Sequence, residues 1–359
     1  MIDADKHAAL LCDWCLEVQA GQQVLVRTTT LAEPLVLALS VALLKRQAWP
    51  ILDLQPLGML PEFFRHAHDR QIDSFPPVQM AMLEGVDALL GIQAPGDNDG
   101  LAGIDPGKQA RAALARTPLQ EVVLSGRWAG TIWPTPALAA EAGLSDSDYE
   151  AFVEHALFLD QPDPIESWRA LSARQQKLVE RLTPARQVRI ENARSDITLD
   201  VTGRTWINSD GRRNMPSGEV FTGAHEHSAN GTIHFDIPSK AGLVQGVTLT
   251  FKDGGVVEAH ADRGDEILQA QLNSDPGARF LGELGIGTNA GIDRATGSTL
   301  LDEKMAGTIH LALGRSYPET GGTNSSVVHW DLICDLRPGG RVSVDGETLI
   351  ENGSFTAVG

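Results

Sequence analysis

His329 and Asp331 stand two residues apart in an alternating run, Val327-Val328-His329-Trp330-Asp331-Leu332-Ile333. On a strand, side chains two apart point to the same face. An imidazole and a carboxylate therefore reach one point together, which suits a borderline divalent cation such as zinc. A second alternating run, Thr308-Ile309-His310-Leu311-Ala312-Leu313, ends at Gly314. If the two runs pair across the 314–324 connection, His310 comes to lie beside them. That connection carries Tyr317, one of the chain's 2 tyrosines, which then hangs over the site. Two more carboxylates sit at glycine-marked positions: Glu219 after Pro216-Ser217-Gly218, and Glu283 within Leu281-Gly282-Glu283-Leu284-Gly285-Ile286-Gly287. Glycine there implies close backbone approach or unusual dihedrals, as the floor of a site requires. Taken singly, either acid also reads as part of a solvated loop, and His310 as a hydrogen-bonded core histidine.

The elements that must position these residues fall into two groups. Residues 8–18 read as a helix ended near Gly21, 23–26 as a strand, 31–46 as an apolar helix and 51–54 as a second strand. Helices follow at 78–84 and 107–115, strands at 88–92 and at Glu121-Val122-Val123-Leu124, and a Gly- and Asp-rich loop at 94–103. That rhythm implies parallel strands with crossover helices, an α/β domain. Helical patterns at 146–157 and 164–182 close this part, and the boundary is placed near Pro184. From Gln187 onward short alternating runs dominate, with Lys252-Asp253-Gly254-Gly255 and Asp345-Gly346 as hairpin turns and one helix at 265–272. The expected organisation is therefore 1–184, an α/β N-terminal domain with a parallel sheet, and 185–359, an α+β, mainly antiparallel domain that carries the site.

Composition narrows the class. At 359 residues, 42% of them hydrophobic, two domains with sizeable cores are expected. A net charge of -18 argues against nucleic acid and against an anionic membrane surface. No window approaches the roughly 18 apolar residues of a membrane span, and the first residues lack the pattern of a signal peptide. Three cysteines in a long chain imply no disulfide framework. A cytoplasmic enzyme is the expectation. Cys12-x-x-Cys15 sits in an apolar helical pattern, so both thiols are expected on a buried helix face rather than in a redox motif. Gly285-x-Gly287-x-x-x-Gly291 misses the dinucleotide fingerprint by one residue and has no βαβ unit around it. His225-x-His227, between Gly223 and Gly231, is expected in a solvated loop, and His234 and His260 have no evident partner.

Several long runs are also recognisable: Asn214 to Thr222 (NMPSGEVFT), Leu281 to Asn289 (LGELGIGTN), Asp302 to Tyr317 (DEKMAGTIHLALGRSY) and Asn324 to Asp335 (NSSVVHWDLICD). They resemble the metallo-aminopeptidase family typified by aminopeptidases T and S, and the resemblance extends over nearly the whole chain. It implies a homodimeric exopeptidase that removes N-terminal residues from peptides with a water activated by two divalent ions, whether Zn, Co, Mn or Mg. Carried over by position, the metal ligands are Glu219, Glu283, His310, His329 and Asp331. Glu283 is then ligand or general base, and Tyr317 donates to the tetrahedral oxyanion. His225-Glu226-His227-Ser228 departs from the family's proline-containing run and alters the pocket rim. Asp335, on the same strand face as Asp331, reads either as a partner behind the ligands or as the residue that closes the strand. Two rivals stand beside this reading: a dinuclear amidase on a non-peptide substrate, and a non-catalytic ligand-binding protein with a structural metal.

Overall fold

Alternating apolar residues at Val24, Val26, Ala88 and Leu90 go into the interior of a parallel sheet, as the βα rhythm requires. The computed structural model describes residues 2–96, 101, 103–239 and 243–356. In chain order the strands are β1 (Gln23–Thr29), β2 (Trp49–Gln55), β3 (Ala88–Gln93), β4 (Trp128–Ile132), β5 (Gln187–Asn192) and β6 (Ser195–Asp200). Next come β7 (Ile207–Ser209), β8 (Asn214–Met215), β9 (Glu219–Thr222), β10 (Asn230–Phe235), β11 (Gln245–Lys252) and β12 (Gly255–Arg263). The last are β13 (Leu281–Gly287), β14 (Thr308–Gly314), β15 (His329–Asp335), β16 (Arg341–Val344), β17 (Glu347–Glu351) and β18 (Ser354–Phe355). The chain divides into two compact units, Met1–Ile165 with Gly211–Pro216, and Glu166–Asp210 with Ser217–Gly359.

The first unit holds a five-stranded sheet in the order β2-β1-β3-β4-β8, with every neighbouring pair parallel. One expected strand is a helix instead. Glu121 to Leu124 belongs to the helix Thr117–Ser125, and the fourth strand is Trp128–Ile132. Pro118 supplies the helix start, and Leu119, Val122 and Val123 pack on Leu25, Leu83 and Leu89. A four-residue apolar run does not by itself separate a buried strand from a helix face. The N-terminal helix Ala4–Leu10 continues into a π-helical turn, Leu11–Cys15, which buries both Cys12 and Cys15. Burial pushes the Cys12 thiol up to about 12, which removes the thiolate that redox chemistry needs. The loop expected over 94–103 lies partly outside the described residues.

The second unit carries two antiparallel sheets. One has eight strands in the order β12-β11-β10-β6-β5-β16-β17-β18, the other five in the order β15-β14-β13-β9-β7. Side chains from both sheets and from the helix Pro164–Leu182 (Leu178, Leu182) share one core with Ile197, Ile233, Leu249, Leu284, Leu311 and Leu332. That packing places Pro184 inside this unit, because the helix before it belongs with the β core. Asp253 (φ 49) and Gly254 (φ 83) turn β11 into β12, and Asp345 (φ 49) and Gly346 (φ 88) turn β16 into β17. Positive φ at both central residues is the hairpin geometry those dipeptides announce.

Candidate metal centre

Every residue of β13 and of β14 is buried, so these two strands lie in the middle of the five-stranded sheet and are covered on both faces. Register then decides which side chains meet. β14 pairs antiparallel with β15, placing Gly314 opposite His329 and Ala312 opposite Asp331. β13 pairs with β14 so that Gly285 faces His310 and Glu283 faces Ala312, and with β9 so that Gly287 faces Glu219. Residues directly opposite each other share a face. Glu219, Glu283, His310, His329 and Asp331 therefore project from one face of four neighbouring strands. Each of them stands opposite a glycine or an alanine. At Gly285 the small partner leaves the room the functional side chain occupies, since a Cβ there would overlap the His310 ring; at Gly287 it admits the backbone, a Cβ there lying 2.1 Å from Met305 O.

The five side chains converge. His310 Nε2 lies 3.4 Å from Glu283 Oε1 and 3.5 Å from Glu219 Oε2. His329 Nε2 lies 3.4 Å from Glu283 Oε2 and 3.6 Å from Asp331 Oδ1. Both imidazoles are oriented from behind by backbone carbonyls: Nδ1 of His310 donates to Glu303 O at 3.1 Å, and Nδ1 of His329 to Arg315 O at 2.8 Å. That leaves each Nε2 lone pair aimed into the cluster, the arrangement a histidine ligand needs. Behind β9, Gln175 Nε2 donates to the Glu219 backbone carbonyl at 2.6 Å and fixes the start of that strand.

The donors fit metal ions. Glu219 Oε2 and Asp331 Oδ1 are buried with no hydrogen-bond partner, which is costly unless a cation takes their lone pairs. Three groups of donor atoms each fall within 4.8 Å of one another: Glu219, Glu283 and His310; Glu283, His329 and Asp331; and Glu303, His310 and Asp331. The electrostatics carry the same message. Burial and the charges of Glu303 and Glu283 raise Asp331 to about 7, and burial also raises Glu219. Burial opposes charging of Glu283, yet hydrogen bonds from His310 and His329 bring it down to about 2. Burial would lower both histidines, but the bond to Glu283 and the surrounding carboxylates raise His310 to about 10 and His329 to about 9. A cluster this rich in buried anions holds protons on its imidazoles until a stronger cation displaces them.

Two members of the site are absent from the sequence-based set. Glu303 joins the third donor group, and Lys304, fully buried, places its ammonium 3.5 Å from Glu219 Oε1 and against Glu303. Their signal is three consecutive charges, Asp302-Glu303-Lys304, between Leu301 and Met305. They reach the site from the turn after the helix Thr299–Asp302, where no strand periodicity marks a face. Tyr317 stands at the mouth, 37% exposed, its ring edge-on to His329 at 5.1 Å and tilted against Phe221 at 5.6 Å. Partial burial of the phenol and the carboxylates of Glu283 and Asp331 hold it well above its usual pKa, so it remains a hydrogen-bond donor.

The remaining candidates lie elsewhere. Asp335 closes its strand, accepting from Arg337 N, Nε and Nη2 at 2.7–2.9 Å. His225 Nε2 donates to Thr202 O at 2.9 Å, and His227 is exposed with its ring edge-on to Phe280 at 5.1 Å. His234 bonds Thr248 Oγ1 at 2.9 Å, and His260 lies among Asp262 and Asp265 on the surface.

Comparisons with known proteins agree with this chemistry. The chain is 30% identical to aminopeptidase 2 of Geobacillus stearothermophilus, over 98% of its own length and 97% of the relative's. It is 29% identical to aminopeptidase T of Thermus thermophilus over 72% of each chain, and 25% identical to aminopeptidase PepS of Streptococcus thermophilus over 79% of each. In fold it is similar to wild-type AmpT from Thermus thermophilus, with a TM-score of 0.85, 24% identity and 99% of both chains covered. The pattern of the thermophilic metalloprotease (M29) family matches residues 2–355, nearly the full length, and this chain belongs to that family.

Proposed function

We propose that this chain removes single residues from the free N-termini of peptides using two divalent ions that share Glu283. The chain is a metal-dependent aminopeptidase; the pair of ions and the roles of individual residues are the finer reading. One observation carries it. The donor groups Glu219–Glu283–His310 and Glu283–His329–Asp331 have Glu283 in common, which supports a reading with two neighbouring ions on one sheet face. Two ions held there would supply a water nucleophile at neutral pH and polarise the scissile carbonyl.

The chain's own groups do the rest. Glu283, ionised across the physiological range, would be ligand or general base; as base it would take a proton at a carboxylate oxygen and pass it to the leaving amine. Tyr317, held protonated at the mouth, donates to the oxygen that becomes negative as the carbonyl is attacked. Glu219 and Asp331, each with a buried oxygen that otherwise has no partner, would hold the ions. A metal or a site carboxylate would hold the substrate's free α-amine, which supports exopeptidase over endopeptidase action. The mixed His and carboxylate set suits zinc, cobalt, manganese or magnesium. A homodimer belongs to the same reading, and exposed Leu37, Val41, Leu44, Trp49 and Leu52 in the first unit suit one. So does a cytoplasmic setting, with which three buried cysteines agree. Among the described residues no helix is long and apolar enough to cross a membrane.

The test is a matched set of free and N-acetylated peptides, assayed after chelation and after return of each metal. Free peptides should be trimmed one residue at a time and blocked ones left intact. Cleavage of blocked peptides at similar rates would rule the reading out.

A further inference from the structure

We propose that Glu226, backed by Arg204, is a positioning residue that latches the loop carrying Tyr317 over the metal centre. The inference rests on the oxyanion role given to Tyr317 above.

Glu226 lies in the run His225-Glu226-His227-Ser228, far from Tyr317 in sequence. Its two carboxylate oxygens are divided between two partners. Oε1 accepts from Thr323 N at 2.7 Å and from Thr323 Oγ1 at 2.9 Å. Oε2 accepts from Arg204 Nη2 at 3.0 Å. Arg204 is itself buried, and the same nitrogen donates to Ala224 O at 3.3 Å, so the guanidinium is a fixed support rather than a mobile surface charge. A charged acceptor on a backbone N–H is among the stronger hydrogen bonds. Burial alone would raise Glu226, but the bonds from Thr323 and the nearby Arg204 hold its carboxyl below the usual range.

The grip is transmitted over a short covalent path. Thr323 is bonded to Asn324, whose carbonyl accepts from Ser316 N at 2.9 Å and whose own N–H donates to Ser316 Oγ at 3.2 Å. Ser316 precedes Tyr317. The loop between is closed tightly: Thr320 Oγ1 donates to Tyr317 O at 2.6 Å, and a Cβ on Gly322 would stand 2.3 Å from Ser316 Cβ. Fixing Thr323 therefore fixes the base from which the phenol projects. The far limb of the same loop has its own anchor, Asp275, which accepts from Ser326 Oγ at 2.8 Å and Val327 N at 2.9 Å. Loss of Glu226 would loosen the Tyr317 limb, leaving it held from outside by Thr205 N, which donates to Thr320 O at 3.1 Å, and the far limb by Asp275. Neither Glu226 nor Arg204 belongs to any of the donor groups at the metal centre.

A double-mutant cycle tests this, with Glu226→Ala, Tyr317→Phe and the double variant compared for kcat, KM, metal content and thermal melting. Tyr317→Phe should lower kcat by roughly 10²–10³ with little change in KM. Glu226→Ala should lower kcat about tenfold or more, since small displacements of a catalytic group are costly, and should keep the full metal content. In the Tyr317→Phe background Glu226→Ala should have almost no further effect on kcat, because both changes act through one hydroxyl. If Glu226→Ala alone fails to fold, Arg204→Met/Glu226→Met removes both charges without leaving a buried ion unpaired and should behave in the same way. Wild-type kcat in a folded latch variant, independent multiplication of the two effects, or loss of metal would each overturn the latch. Wild-type kcat in Tyr317→Phe alone would instead overturn the oxyanion role, and the latch with it.

Discussion

A methyl group on Gly285 would stand 2.0 Å from His310 Cε1 and 2.1 Å from His310 Nε2, so the glycine and the imidazole occupy one space divided between two strands. Gly285→Ala should therefore push His310 off the cluster while leaving the strand in place. Overpacking of this kind costs about 1–3 kcal/mol of stability. The variant should fold with a lowered melting temperature, bind less metal and hydrolyse peptides far more slowly. Full metal content at wild-type rate would show that the imidazole has freedom the geometry denies it.

His329→Ala removes a proposed ligand at the end of β15 without touching the apolar core. The loss in metal affinity should exceed the roughly 10–100-fold expected when only a residue behind a ligand is changed. The fold should persist by circular dichroism, with fewer than two metals per chain. His227→Ala, in contrast, removes an exposed ring packed on Phe280 and should keep metal and most of its activity. Elemental analysis of the two side by side decides which histidine serves the centre.

Lys304 neutralises part of a cluster that contains Glu219, Glu283, Glu303 and Asp331. Lys304→Met keeps most of the side chain's length and deletes the charge, so Glu219 and Glu303 lose their fixed cation. Breaking a buried ion pair by removing one partner costs about 3–5 kcal/mol. The loss should be largest in chelator-treated protein and smaller once metal is restored, because added cations take over the neutralisation. Denaturant unfolding with and without chelator reads both numbers; equal losses in the two states would contradict the role.

Proton competition gives the pH dependence its sign. Without metal, His310 titrates near about 10 and His329 near about 9, so at neutral pH both carry protons that an arriving ion must displace. Below those values metal affinity should fall about tenfold per pH unit for each proton released. Loading should therefore be tight at pH 8 and markedly weaker at pH 6, and calorimetry in buffers of different ionisation enthalpy should register the released protons. An affinity independent of pH over that interval would place the ions elsewhere.

What could be read from sequence follows from how locally each feature is encoded. The spacing of His329 and Asp331 puts both on one face for any strand, and Asp253-Gly254 and Asp345-Gly346 need only their own dihedrals to make a turn. The glycines around Glu283 imply close approach, and they make it: a Cβ on Gly282 would stand 2.3 Å from Arg315 O, and one on Gly285 2.0 Å from His310 Cε1. Three things were out of reach for a common reason: they depend on what lies across space. Val122 and Val123 are helical because they pack on Leu25, Leu83 and Leu89. Glu303 and Lys304 enter the site from a turn, where neighbouring residues obey no period. Glu226 matters only through Thr323, 97 residues away.

The opposition of each proposed ligand to a glycine or alanine has a consequence for how the protein tolerates change. The centre is written across four strands as a reading frame, with the pleat as its unit. A one-residue slip in any of them would turn its ligands to the other face and bring Leu284, Leu311 or Leu332 into their place. β13 already contains one such adjustment, a bulge between Leu281 and Glu283 that brings Glu283 opposite Ala312. Single-residue deletions in β9, β13, β14 or β15 should therefore abolish the centre at a stroke, whereas substitutions on the opposite face should erode it by degrees. A deletion scan along the chain would map the frame directly, with blank intervals at these strands and tolerance resuming in the turns between them.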